Sequence, residues 1–237
     1  MLGADPFSLI ILLVGLSLLP FVAMITTSYL KIVVVMSLIR NAMGIQSIPP
    51  NMVLNALALI LTFYIMAPTV KESWGAIVES QKAMVAGQGG QRASGAAGLA
   101  NAQAGSIDLS TLDLSKAAEP FRKFLSDHTS PRERVFFVKT AEMLWGKDGE
   151  PAVVDPESYW ILLPSFCVSE LTKAFQIGFL VYLPFIAIDI IVSNILLAMG
   201  MMMVSPVTIS LPFKLLLFVM VNGWTLLIQG LVKGYIL

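Results

Sequence analysis

Four long stretches of this chain are almost uninterrupted runs of apolar residues, separated by segments of very different character. The first runs from Phe7 to about Ile25 without a charge, close to the ~20 residues that cross a bilayer as a helix. The second covers Met52 to Val70. The third extends from Ser158 to Met203, and the last from Val207 to Leu231. As one straight helix the third's forty-odd residues would measure more than about 60 Å at 1.5 Å per residue, at least roughly twice a bilayer's hydrocarbon core. It is therefore expected to break or bend, with Pro164 and Pro184 the obvious places. Between the second and third stretches the periodicity changes. Phe121, Phe124 and Leu125, then Val135, Phe136 and Val138, predict two amphipathic helices interrupted at "HTSPRER". The fold expected is an all-α integral membrane protein of kinked helical hairpins, with about four hydrophobic segments and a helical polar insertion.

Composition supports this. Hydrophobic residues are 57% of the 237 and charged residues 13%, with mean hydropathy +0.81; soluble domains average roughly 45–50% and 25%. The charges are gathered in the middle: ten of the 15 Lys and Arg lie between Lys71 and Lys147, and twelve of the 15 Asp and Glu between Glu72 and Glu157. The chain thus divides into N-terminal membrane segments (1–70), a polar region (71–157) and C-terminal membrane segments (158–237). Within the polar region, residues 85–106 are Gly, Ala, Gln and Ser with no apolar face, and read as a flexible tract. The opening "MLGADPF" carries Asp5 and no cation, so the first segment reads as an uncleaved helix rather than a secretory signal. Lys31 and Arg40 flank "IVVVMSLI". Short loops with cations stay cytoplasmic, which would put 31–51 inside and the polar region outside.

Several function classes lose support. A net charge of zero with no basic stretch argues against nucleic-acid partners. No HExxH, P-loop, GxGxxG or Gly-x-Ser-x-Gly occurs, so no enzyme chemistry and no cofactor are expected. His128 reads as a solvated loop residue, and the lone Cys167 as a small buried hydrophobe. Gly230 and Gly234 form one GxxxG, weak evidence of close helix packing.

Ionisable residues inside apolar segments carry more information, because each is costly in lipid unless paired or wet. Glu170 and Lys173 share a helix face three residues apart, which suits a local ion pair or a lock between subunits. Asp189 stands alone in "FIAIDIIVSN"; it fits a hydrogen bond at a helix break or a cation relay. Lys214, in "SLPFKLLLF", fits snorkelling to an interface or a water-filled path. Finally, "GMMMVSP" (Gly200 to Pro206) sets three methionines between two helix breakers. Unbranched thioether side chains fill irregular gaps, which suits ordinary core packing or a deformable seal.

Longer strings add to this. "YLKIVVVMSLIRNAMGIQSIPPNMVLNALALILTFYIMAP" (Tyr29 to Pro68) and "SELTKAFQIGFLVYLPFIAIDIIVSNILLAMGMMMVSPVTISLPFKLLLF" (Ser169 to Phe218), continuing to "NGW" at 222–224, resemble the two conserved blocks of the FliP/SctR (YscR/HrcR) family of type III secretion export-gate proteins. The resemblance covers roughly two-fifths of the chain. It implies a core gate subunit of the bacterial inner membrane that stacks into a helical oligomeric pore, a pentamer in the family, through which unfolded proteins pass. Implied partners are SctS/FliQ-type and SctT/FliR-type membrane proteins and SctV/FlhA-type and SctU/FlhB-type export components, with the polar region facing the periplasm. It further implies a pore gasket at Met201, Met202 and Met203, bracketed by Gly200 and Pro206. Arg40 and Asn41, in "LIRNAMG", match the first block as helix-end anchors or subunit contacts. Asn222, where the flagellar branch often has Asp, and the uncleaved start favour the injectisome branch. The alternative, an ion-coupled secondary transporter or channel using Glu170 and Asp189, would be expected to show internal repeats; the two membrane halves share none.

Overall fold

A computed structural model describes residues 6–45, 48–88, 114–146 and 152–236. Eight helices follow in order: α1 (Pro6–Thr26), α2 (Tyr29–Ala42), α3 (Asn51–Gln88), α4 (Leu114–His128), α5 (Pro131–Trp145), α6 (Tyr159–Ala198), α7 (Pro206–Met220) and α8 (Gly223–Lys233). No strand occurs among the described residues. Two compact units result, one of residues 1–66 with 128–237 and one of residues 67–127.

The larger unit is organised on α2 and α6. Ile32, Val35, Met36 and Ile39 recur at helical spacing along α2 and are almost wholly buried, joined by Leu54 and Ala58 of α3, Ala174 and Phe185 of α6, Phe218 of α7 and Leu231 of α8. Helix α6 meets Leu38 of α2 at Gly178, where an added Cβ would lie 2.3 Å from Leu38 Cδ1 and 3.2 Å from its Cβ. A side chain there would require Leu38 to shift. Helix α5 lies against α6 as well, and α6 pairs with α7. In the smaller unit, the Ser73 hydroxyl donates to the Thr69 carbonyl within α3, and Glu119 pairs with Arg122 at 2.8 Å on α4.

Among the described residues two helices are long and apolar enough to span a membrane, Asn51–Glu79 within α3 and all of α6. Two further spans are possible if each bent pair counts as one: the end of α1 with α2, bent by 78°, and α7 with α8, bent by 60°. That agrees with about four hydrophobic segments, but three local expectations are corrected. The 31–51 stretch is not simply a loop, because α2 occupies Tyr29–Ala42; its apolar stripe folds onto α6. Of the break or bend expected in the third segment, no break occurs at either proline: α6 runs for 40 residues through both Pro164 and Pro184. A proline interrupts one backbone hydrogen bond, and neighbouring apolar packing keeps the rest of the ladder intact. Residues 85–88 belong to α3 rather than to a flexible tract; the remainder of 85–106 lies outside the described residues. The two amphipathic helices of the polar region do form, as α4 and α5, separated at Thr129 and Ser130.

Candidate functional site: two buried ion clusters and a methionine loop

The first cluster centres on Glu170 of α6, which is fully buried. One carboxylate oxygen lies 3.1 Å from Lys173 Nζ one helical turn on, and the other 3.1 Å from Lys31 Nζ of α2. The Tyr235 hydroxyl, just beyond α8, also donates to that second oxygen. Lys31 Nζ sits 3.4 Å from the centroid of the Tyr235 ring, so its charge is shared between a carboxylate and an aromatic face. Lys173 Nζ donates to the His128 carbonyl at 2.6 Å, and the Ser130 amide donates to Ser169 Oγ at 2.9 Å. The turn between α4 and α5 is thereby tied to α6. Buried charges are tolerated when they are paired and hydrogen-bonded, and here one carboxylate answers two ammonium groups whose remaining protons find a carbonyl and a ring.

The expected Glu170–Lys173 pair is therefore present, as part of a larger network. Lys31 and Tyr235 were not foreseen, since neither lies within a helical turn of Glu170 in sequence. His128 is not a solvated residue: its ring stacks 5.1 Å from that of Tyr235, and its Nε2 lies 3.5 Å from the Tyr235 carbonyl oxygen.

The second cluster pins α6 to α7. Asp189 does not stand alone; its Oδ2 lies 2.7 Å from Lys214 Nζ, and Ser210 donates to its Oδ1 at 2.5 Å. Ser210 and Lys214 are four apart and share one face of α7. Lys214 is buried rather than snorkelling, and its ammonium also donates to the Ala42 carbonyl at the end of α2, 3.3 Å away. Three helices thus meet at one ammonium group. Both carboxylates that an ion-coupled transporter would use are consumed by lysines of the same chain. Among the described residues no three His, Cys, Asp or Glu side chains converge as metal ligands.

Beyond this pin the hairpin turns through the methionine loop. Helix α6 ends in a Schellman motif: the Gly200 amide donates to the Leu197 carbonyl and the Met201 amide to the Leu196 carbonyl, both at 3.0 Å, with Gly200 at φ +75°. Only glycine adopts that left-handed position freely. Helix α7 begins at Pro206, whose fixed φ suits a first helical residue and whose missing N–H is not needed there. The chain between these stops projects Met202 and Met203 outward, both highly exposed, with Met201 less so. Arg40, at the end of α2, donates to Asn51 Oδ1 at the start of α3, while Asn41 is exposed. Arg40 thus bridges the two helices across the intervening turn. Cys167 is half-buried, its Sγ 3.8 Å from the Ile25 carbonyl oxygen. A Cβ at Gly230 would meet nothing within 4 Å, so the GxxxG is not a close packing site within the chain.

What these features define is an all-helical membrane protein whose internal charges bind its helices together and hold out a soft apolar loop. The FliP family profile matches residues 12–231, so the chain belongs to the FliP family. It is 46% identical over 236 residues to the Yop proteins translocation protein R of Yersinia pestis, covering 98% of this chain and 97% of the relative. The virulence protein YscR of Salmonella typhimurium is 45% identical over 98% of this chain and 97% of its own length. The hypersensitivity response secretion protein HrcR of Ralstonia nicotianae is 44% identical, covering 96% of each.

Proposed function

We propose that this chain is a core subunit of a type III secretion export apparatus, a structural component rather than an enzyme. With copies of itself and small membrane partners it forms the pore through which unfolded proteins cross the inner membrane. The relatives are named for translocation, virulence and hypersensitivity response secretion, which favours the injectisome branch over the flagellar one. The polar region faces the periplasm in this reading, and SctS/FliQ-type, SctT/FliR-type, SctV/FlhA-type and SctU/FlhB-type proteins complete the machine.

The observation that carries the mechanism is the loop between α6 and α7. The Asp189–Lys214 pin anchors the hairpin, the Schellman turn and Pro206 fix both ends of the loop, and Met202 and Met203 project from it. Repeated around a pore by several copies, such side chains fill an irregular aperture and yield to a passing chain. Being apolar, a narrow ring of them also excludes ions by dewetting. Met201, Met202 and Met203 are the gasket, with Gly200 and Pro206 as its hinges. Arg40 and Asn41 are assigned to contacts between subunits or to helix anchoring on the cytoplasmic side.

Replacing Met201, Met202 and Met203 together by glycine tests this. The variant is expected to assemble normally, by native mass measurement of the detergent-purified complex, and to leak ions. Ion tightness equal to the wild type rejects the gasket. A monomer that recruits no small hydrophobic partners rejects the gate subunit itself.

A further inference from the structure

We propose that the methionine loop is also an oxidation site, at which a hydroperoxide converts Met202 and Met203 to sulfoxides and thereby opens the seal. The functional half of this rests on the gasket reading. The chemical half rests on exposure. Of the chain's 13 methionines, four lie between Met199 and Met203. Met202 is 82% exposed and Met203 101%, while Met36, Met43 and Met66 are 0%, 2% and 3% exposed in the helical core. Backbone stops on both sides of the loop keep its thioethers from folding back into a helix face.

The reaction is a two-electron oxygen transfer. A sulfur lone pair attacks the terminal oxygen of the hydroperoxide, and the S–O bond forms as the O–O bond breaks. The leaving oxygen takes the proton of the transferred hydroxyl and departs as an alcohol, or as water when the oxidant is hydrogen peroxide. Sulfur is oxidised by two electrons and the peroxide reduced by two. The product is polar and chiral where the thioether was apolar and flexible. A ring that seals by excluding water then acquires strong hydrogen-bond acceptors at its narrowest point, and the dewetting barrier falls. Thiol-dependent sulfoxide reductases reverse the change, oxidising two thiols to a disulfide and releasing the oxygen as water, so the modification is a reversible switch.

The test uses native membranes that hold the assembled complex. They are exposed to hydrogen peroxide for graded times, quenched and digested, and oxygen uptake is read by peptide mass. The peptide containing Met202 and Met203 is expected to oxidise roughly tenfold faster than those containing Met36, Met43 or Met66. It should also outpace Met52 and Met220, which are 82% and 73% exposed in the isolated chain and, in the gate reading, lie on apolar helix faces that lipid or other subunits cover. Ion leak should rise with loop oxidation and fall after treatment with sulfoxide reductase and dithiothreitol. With Met201, Met202 and Met203 all replaced by leucine, leak should no longer respond to peroxide, whatever its starting level. Loop oxidation that merely matches Met52 and Met220 overturns the assignment of the site. Selective oxidation without added leak overturns the switch, and a leucine variant that still responds places the effect elsewhere. The glycine variant above judges the gasket without peroxide, so the two failures are distinguishable.

Discussion

Glu170 shows how a single buried carboxylate gathers a fold. Its partners come from α2, from its own helix and from the residues beyond α8, so removing it leaves Lys31 buried with no counter-charge. Glu170→Gln is expected to destabilise the chain by about 3–5 kcal/mol, because a broken buried pair leaves an uncompensated ion. The double change Lys31→Met with Glu170→Leu should recover most of that loss, since an apolar pair of similar volume avoids the desolvation cost; Lys173, partly exposed, can reach water. Thermal unfolding in detergent, read by circular dichroism, measures both. A double variant no more stable than the single one would reject the account. The limit of the sequence is visible at this residue. The three-residue spacing to Lys173 was legible because helical geometry alone brings the two together. Lys31 and Tyr235 were not, because their approach depends on how α2 and the end of α8 fold back on α6, which no local pattern encodes. For the same reason His128 read as a solvated residue until the tertiary contact with Tyr235 was seen.

At the scale of elements, the apolar segments and the two amphipathic helices of the polar region were legible from periodicity and length. What was not legible was how the segments divide. The stretch Tyr29–Ala42 carries two cations and so resembled a loop, yet Lys31 is neutralised by α6 and the intervening apolar positions form the core of the larger unit. Conversely, the prolines of α6 suggested a break or a bend, and the helix runs on unbroken through both. Gly178 lies where α6 meets Leu38 of α2. Gly178→Val should cost about 1–3 kcal/mol, as overpacking in a filled core does, and Leu38→Ala in the same chain should restore part of it by vacating the space that the new side chain enters. Thermal unfolding of the three variants checks this, and no recovery in the double variant would show that the strain lies elsewhere. The α6–α7 pin makes a separate prediction. Asp189→Ala and Lys214→Met should each destabilise the hairpin, while the pair together cost less than their sum by about 0.5–3 kcal/mol, the range for residues in one ion-pair network. Because Asp189 is one-third exposed, solvent screening puts the expected value at the low end of that range. Additive losses would mean that the pair does not hold the hairpin.

At the scale of the whole molecule, the apolar surface of α6 is longer than lipid alone can cover. Helix α6 has 40 residues, about 60 Å against a hydrocarbon core of about 30 Å. Yet exposed apolar side chains continue along nearly all of it, from Trp160 through Phe175, Phe179, Leu183 and Ile191 to Leu197. Near its start, Val168, Leu171, Thr172, Phe175, Gln176 and Phe179 line an open groove of about 490 Å³. About half of that surface must therefore be covered by protein, since contiguous apolar surface of this extent in water is a binding face. A gate built from stacked copies of the chain supplies such a cover, whereas a monomeric carrier does not. Single aspartates introduced at Trp160 and at Leu197, both exposed, 37 residues apart and hence about 55 Å along the helix, separate the alternatives. One core of about 30 Å cannot comfortably bury both ends. At least one of the two variants is expected to stay in the membrane under alkaline extraction, keep its helical circular dichroism, and yet fail to form the oligomer on native mass measurement. If both variants assemble normally, the ends of α6 face neither lipid nor a neighbouring copy. The pore built from repeated α6–α7 hairpins would then have to be abandoned, even with the family membership intact.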